Sequence, residues 1–329
     1  MTLLLDDRAV SSVLDPASLV EAIDRAIRAD AETPADVFGR MNLTGGGRFF
    51  RVMPAVVPHS GVMGLKTFFG GNGVGVRYLI VLASIETGEV LATMDACYLT
   101  AARTAATSVL AAQALGVKAT RLGVLGSGLE AETHLRSFAA MGRLDEVKIF
   151  SPNPASRVRL AGRLGEELGL PIVPVDSAAS ACAGVEHVIT ATNTGYGGPI
   201  ACESAWLSPG THVSAIGSTH RDLRELEPAV FGRAGALVFD ADPGQITEES
   251  GDIREFVATG GSLGGVLRLS DLLQGRAALP EDPPGDLTVF KSVGTALQDM
   301  VAAELVYRRA AEAGLGSPWD DLALPKSRR

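Results

Sequence analysis

The sequence predicts an α/β protein in which a Rossmann-type, doubly wound parallel sheet is joined to an α+β domain with a mainly antiparallel sheet. Three observations predict it. Residues 121–131 run from an apolar strand through Gly126, Ser127 and Gly128 directly into a helix. Before Val117 the chain reads as short β-rich runs separated by turn residues, and after it strands and helices alternate. Beyond Lys291 a helical period returns at Leu297, Met300, Val301 and Leu305, after a turn-rich linker at 280–285. A helix there can cross back to the first domain. The reading assigns 1–117 with 288–329 to one domain and 118–287 to a dinucleotide-binding domain.

Composition narrows the function. The chain has 329 residues, enough for two domains, and 46% of them are hydrophobic, enough for a sizeable core. The net charge is −9, and no Lys/Arg run precedes the last few residues, which argues against nucleic acid or an anionic membrane as partner. No apolar run is long enough to span a bilayer, and the start, Met1 to Asp6, is too short and too soon acidic for a secretory signal. Cys97, Cys182 and Cys202 are far apart in the chain, without disulfide or zinc spacing, which suits a reducing cytoplasm. His59, His134, His187, His212 and His220 also lack zinc spacing, so no bound metal is expected.

In chain order, Asp15 and Pro16 read as a helix cap and first turn, with Leu19, Ile23, Ala26 and Ile27 on one apolar face. Residues 49–53, 62–68, 78–83 and 90–94 read as strands, with a hairpin turn at 86–89. The glycine-rich stretch 70–75 lacks a strand-to-helix context and reads as a loop. Lys66 stands among apolar neighbours in the second strand, where a solvated strand face is the simpler reading. Arg103 lies in a helical stretch of small residues. If Thr100 caps that helix, Arg103 falls in its first turn, where a cation opposes the helix dipole. A guanidinium at a helix start makes a carboxylate site, and Thr107 follows one turn later.

The glycine turn carries the nucleotide reading. Gly126 permits the tight turn, Gly128 lets a pyrophosphate approach the backbone, and Ala131 takes the small position where helix packs on strand. The N–H groups at the helix start, from Leu129 and Glu130 onward, face the phosphates. Further parallel strands are expected at 147–150, 172–175, 187–191, 212–216 and 236–239. The second strand ends without the acid that usually binds the ribose diol of NAD. Ser151, Asn153 and Arg157 stand there instead and favour a 2′-phosphate, hence NADP(H) over NAD(H), although Asn153 before Pro154 also reads as a helix cap. Expected cofactor contacts also include Thr107, Thr192, Gly217, Ser292 and Gly294. The acidic residues at 248–252 can be metal ligands or solvated helix ends, and without histidine nearby read as the second; the basic tail, Lys326, Arg328 and Arg329, reads as a loose end.

Taken together, residues 52–55, Gly64 to Lys66, Arg103 to Ser108, Gly126 to Ala131, 249–252 and 289–294 resemble, in this order, the ornithine cyclodeaminase/mu-crystallin family. The resemblance covers nearly the whole chain. It implies an N-terminal substrate and dimerisation domain completed by the C-terminal helix, a Rossmann domain between, and a homodimer. It also implies a substrate carboxylate held by basic residues, with Arg40, Lys66 and Arg103 at the matching places. Two departures stand out. Thr219 falls where cyclodeaminases and the related archaeal alanine dehydrogenases have an aspartate, and Glu130 replaces a usual glutamine. The segment around Thr219 is closer to mu-crystallin and the ketimine reductases. The resemblance thus implies NAD(P)H-dependent reduction of an α-imino acid. Arg40 and Arg103 would hold the carboxylate, and Lys66 would orient it or relay a proton. The alternatives are a cyclodeaminase or alanine dehydrogenase-type enzyme and, in another class, a non-catalytic NADP-binding protein.

Overall fold

Alternation along residues 48–95 builds the first sheet. In the strands Arg48–Val57, Val62–Gly71, Val74–Ser84 and Val90–Asp95, each antiparallel to the next, Met53, Lys66, Ile80 and Met94 are cross-strand partners in one buried row. The sheet also takes in Thr2–Leu5, which pairs parallel with Val90–Asp95, and Ser317–Trp319 beyond it. Asp36–Val37 and Met41–Gly45 both pair with Arg48–Val57. These short edge strands carry weak period-2 signals, and sequence reading did not anticipate them.

The structure, a computed structural model, describes residues 2–71, 73–281, 284–320 and 322–326. Met1, Asn72 of the glycine-rich loop, Asp282 and Pro283 of the linker, and Arg328 and Arg329 of the tail lie outside the described residues. Among the described residues no helix is long and apolar enough to cross a membrane.

The helix Pro16–Ala29 starts as expected: the Asp15 side chain accepts from the Ser18 N–H at 2.9 Å, and Leu19, Ile23, Ala26 and Ile27 are buried. The C-terminal helix, Ala296–Glu312, packs on this helix and on the strands Arg48–Val57, Val62–Gly71 and Val74–Ser84. Thr295 and Gln298 form a capping box at its start.

The second sheet is parallel throughout. Its order is Ile172–Pro174, Glu146–Phe150, Arg121–Leu125, His187–Thr190, His212–Ala215, Leu287–Lys291, Ala234–Phe239 and Leu267–Arg268. The chain winds outward from Arg121–Leu125 in one direction and then in the other, so the topological switch lies between that strand and His187–Thr190. Leu122, Val124, Ala131, Leu135, Val147, Ile149, Leu160 and Leu164 pack together in one core layer.

The domain borders read from sequence need correction. The chain divides into 1–103 with 295–329, and 104–294. Residues 288–291, assigned by sequence to the first domain, belong to the strand Leu287–Lys291, an inner strand of the parallel sheet between His212–Ala215 and Ala234–Phe239. A parallel neighbour arrives by a crossover, and nothing local in the sequence states which strands it enters between. The other border falls inside the helix Cys97–Ala114, so the pattern change at Val117 marks the end of that helix and not the division.

The same winding brings together residues that the sequence keeps apart. The thiols of Cys182 and Cys202 lie 3.9 Å from each other and are buried. That hydrogen bond and burial push the Cys202 thiol far above its ordinary range. His187 and His212, at the starts of neighbouring strands, lie with their tilted rings 4.5 Å apart and share the Ser214 hydroxyl at 2.9 and 3.2 Å. Burial lowers both, His212 to about 3.

Candidate active site

In the first unit, Lys66 is 1% exposed. The solvated-face reading of its strand is therefore wrong: its stem lies in the apolar row and its ammonium meets the C-terminal helix. Lys66 Nζ donates to Asp299 Oδ1 at 2.7 Å and lies equally close to Oδ2. Arg103 Nε donates to Asp299 Oδ1 at 2.9 Å, and Arg103 Nη1 donates to Gln298 Oε1 at 3.2 Å. Asp299 is fully buried. Arg40 and Lys66 both lie over the Phe68 ring, at 5.4 and 5.7 Å from its centroid. The three basic residues expected from sequence are thus gathered around Phe68 and Asp299.

Arg103 is not in a first turn. Its helix begins at Cys97, where the Asp95 side chain accepts the Cys97 N–H at 2.8 Å, so Arg103 sits in the helix body. Asp299, and not a helix terminus, holds its guanidinium. Sequence reading missed Asp299 and Gln298 because acidic and amide groups in a first turn are ordinary capping partners. The available signal was their place in a helix otherwise read as apolar.

Two cations share one carboxylate, and the shifts follow from that count. Burial lowers Lys66 to about 7, with Arg103 and Arg40 adding to the effect against Asp299. Burial alone would raise Asp299, but Lys66 and Arg103 together hold it below the usual carboxylate range. A lysine near 7 exchanges its proton readily at neutral pH.

In the second unit, the turn after Arg121–Leu125 fits a dinucleotide. Gly126 has φ +132°, and an added Cβ would strike the Ala191 carbonyl oxygen. Gly128 is the N-cap of the helix Leu129–Met141, makes no side-chain cap, and has open space where a Cβ would stand. The first N–H groups of a helix thus stand beside open space at the switch point of the sheet. Ser127 and Ser151 pair through their hydroxyls at 2.8 Å across two strand ends. Asn153 caps the helix Pro154–Leu168 by accepting the Ser156 N–H at 3.2 Å. Ser108, one residue after the buried Thr107, lies 3.0 Å from His134 Nε2.

Several expected cofactor contacts are engaged within the protein. The Glu225 carboxylate accepts from Thr192 N and Oγ1, both at 2.7 Å, from Gly217 N at 2.6 Å, from Ser218 N at 3.2 Å and from Thr190 Oγ1 at 3.1 Å. Thr192 and Gly217 therefore shape the strand ends through Glu225. Asp252 Oδ1 in turn accepts the N–H groups of Glu225 and Leu226 at 2.7 and 3.1 Å, and its Oδ2 lies 3.7 Å from Lys291 Nζ. Burial raises both acids, with Lys291 opposing. Asp252, read from sequence as part of a solvated helix end, is fully buried. Ser292 Oγ and Gly294 N donate to Asp240 Oδ2 at 2.6 and 2.9 Å, and Val293 N donates to Oδ1 at 3.0 Å. Sequence reading missed Glu225 and Asp240, whose partners lie apart from them in the chain, at 190–192 and 217–218 for Glu225 and at 292–294 for Asp240.

A glycine turn at the switch point of a parallel sheet, with a buried basic cluster in a second unit, defines a nucleotide-dependent enzyme class. The ornithine cyclodeaminase/mu-crystallin family profile matches residues 2–314. The chain belongs to that family. It is 29% identical over 264 residues to a Delta(1)-pyrroline-2-carboxylate reductase of Bacillus cereus, covering 79% of this chain and 77% of the relative. It is also 29% identical over 266 residues to mouse ketimine reductase mu-crystallin, covering 79% and 80%. Among solved structures, Thermococcus litoralis Delta(1)-pyrroline-2-carboxylate reductase in complex with NADH and L-proline matches with a TM-score of 0.89 at 27% identity, over 96% of this chain and 100% of that one.

Proposed function

We propose that the protein is an NAD(P)H-dependent reductase of α-imino acids, with a cyclic imine such as Delta(1)-pyrroline-2-carboxylate as substrate class. The observation that carries the reading is the buried trio of Lys66, Arg103 and Asp299, which has one more positive charge than negative. A substrate carboxylate answers that surplus. Arg103 and Arg40 hold the carboxylate, and Asp299 fixes the guanidinium plane of Arg103. Lys66 delivers the proton to the imine nitrogen, because its lowered proton affinity matches neutral pH. A bound nicotinamide supplies the hydride to the imine carbon. The turn at Gly126, Ser127 and Gly128 and the helix start at Leu129 to Ala131 hold its pyrophosphate.

The unit 104–294 is the dinucleotide-binding unit, and 1–103 with 295–329 binds substrate. The absence of an acid at Ser151 supports NADP(H) as the preferred cofactor. The first unit also carries the dimer face: Met41, Leu43, Phe50, Phe69 and Val74 are exposed apolar side chains on neighbouring strands, with exposed Phe38 just before them. The buried thiols suit a reducing cytoplasm. Cyclodeamination is disfavoured, because Thr219 offers a hydroxyl and no base near neutral pH.

The test is paired: cofactor oxidation with Delta(1)-pyrroline-2-carboxylate, and proline plus ammonia from ornithine with NAD+. Reduction without ammonia release is expected. Efficient proline formation from ornithine would replace this reading with the cyclodeaminase one.

A further inference from the structure

At the end of the second parallel strand, Arg157 is turned back from its helix toward the sheet. Its Nη1 donates to the Ser151 carbonyl at 2.9 Å, and its guanidinium lies over the Phe150 ring at 5.5 Å. Its Nη2 donates to Asp176 Oδ1 at 2.7 Å. The two side chains differ sharply in environment: Arg157 is 9% exposed and Asp176 100% exposed. Asp176 follows the neighbouring strand, Ile172–Pro174, just before Ser177 caps the next helix. Two adjacent strand ends therefore bring a fixed cation and a solvated anion to the place where doubly wound folds read the adenosine ribose.

We propose that Asp176 is the exchangeable counter-ion of Arg157 and sets the discrimination between NADP(H) and NAD(H). The inference rests on the reading that the adenosine end of the dinucleotide lies beside Ser151. Phe150 and the Ser151 carbonyl hold the guanidinium, so it does not depend on Asp176 for its position. An exposed ion pair contributes little, because water screens it and ordering the side chain opposes it. A 2′-phosphate carries about two negative charges and three acceptor oxygens, and takes Arg157 from a single solvated carboxylate. NAD(H) has no group to place there, and Asp176 then keeps its partner. The carboxylate thus opposes only the phosphorylated cofactor, by competition for Arg157 and by like-charge repulsion. It holds the preference for NADP(H) below what Arg157 alone would give.

The experiment is equilibrium binding of NADPH and NADH to the full chain and to Asp176→Asn, at low and at 0.5 M salt. The substitution is at a fully exposed side chain and keeps the shape. NADPH should tighten about three- to tenfold at low salt, the size of one screened like-charge contact. That gain should shrink at high salt, and the NADH affinity should stay within about twofold of the parent. Weaker NADH binding in Asp176→Asn would overturn the proposal, because Asp176 would then be a ligand of the ribose diol. Equal or absent changes for the two cofactors would also overturn it. If the parent favours NADH but the variant moves toward NADPH as expected, the counter-ion role stands and the NADP(H) preference proposed above falls. Arg157→Lys is the second arm: it keeps the charge, loses the fork, and should weaken NADPH alone.

Discussion

The two units each bury a small set of charges, and the sets have opposite stoichiometry. In the first, Lys66 and Arg103 share one carboxylate, Asp299. In the second, Glu225 and Asp252 share one ammonium, Lys291. The surplus negative charge of the second set is met inside the fold, by seven hydrogen bonds from backbone N–H groups and threonine hydroxyls. Such a set tightens loops and asks nothing of a ligand. The surplus positive charge of the first set is complementary to a carboxylate from outside. The count of charges, more than their burial, separates a structural cluster from a binding one.

The sharpest way to break this contrast is Asp299→Ala. It leaves two buried cations without their shared carboxylate, so stability should fall by about 3–5 kcal/mol and imine reduction should collapse. Chemical denaturation beside a steady-state assay reads both. Parental stability would show that Lys66 and Arg103 are neutralised without Asp299.

The pH dependence sharpens the contrast next. Below about 7 Lys66 carries the proton that the proposed chemistry needs. The rate should therefore fall as pH rises through that value, by about a hundredfold two units above it. Lys66→Arg cannot release its proton in this range, so the rate should drop at every pH and the residual rate should lack the descending limb. A limb that survives the substitution belongs to another group. The stability sign is separate: an unfolded lysine keeps its proton up to about 10.5, so between about 7 and 10.5 rising pH favours the fold through Lys66.

Glu225→Gln tests the other side. An amide places an NH2 among the N–H and O–H donors that now meet a carboxylate, and stability should fall by about 1–3 kcal/mol. Cofactor affinity should weaken, and the KM for the imine at saturating cofactor should hold. A change in imine KM alone would contradict the separation of roles. Ser292→Ala is the mildest probe. It removes one donor to Asp240 and should lower stability by about 0.5–1.5 kcal/mol. Thermal unfolding measures it, and a loss as large as that of Asp299→Ala would make Asp240 part of a functional cluster.

What the sequence told depended on distance along the chain. The turn at Gly126 to Gly128 and the strand–helix rhythm after it were legible because glycine, capping and period are local signals. Lys66 reads as an ordinary cation by local rules and only the family resemblance marks it, whereas Arg103 reads locally as a carboxylate site, though at a helix start it does not occupy. Asp299 stayed hidden because its partners are 233 and 196 residues away, and a first-turn acid has a simpler local explanation. Leu287–Lys291 was legible as a strand but not as an inner one, since period does not encode strand order. The extended strands before Val117 were seen, whereas Thr2–Leu5 and Ser317–Trp319 are too short to register.

The way the chain threads its two units has a consequence for biosynthesis. The unit 104–294 is one continuous run, while the other is assembled from both sides of it. On the ribosome, Lys66 and Arg103 emerge long before Asp299 does. The parallel sheet has all its strands by Lys291 and can form as soon as that segment is free. The first sheet must wait, with Lys66 in its apolar row, until the final helix is released to supply Asp299. A transcript or proteolytic cut that ends the chain near Gly294 would leave the parallel sheet complete and the first sheet without the helix that covers it, which makes the last helix the step that commits that unit.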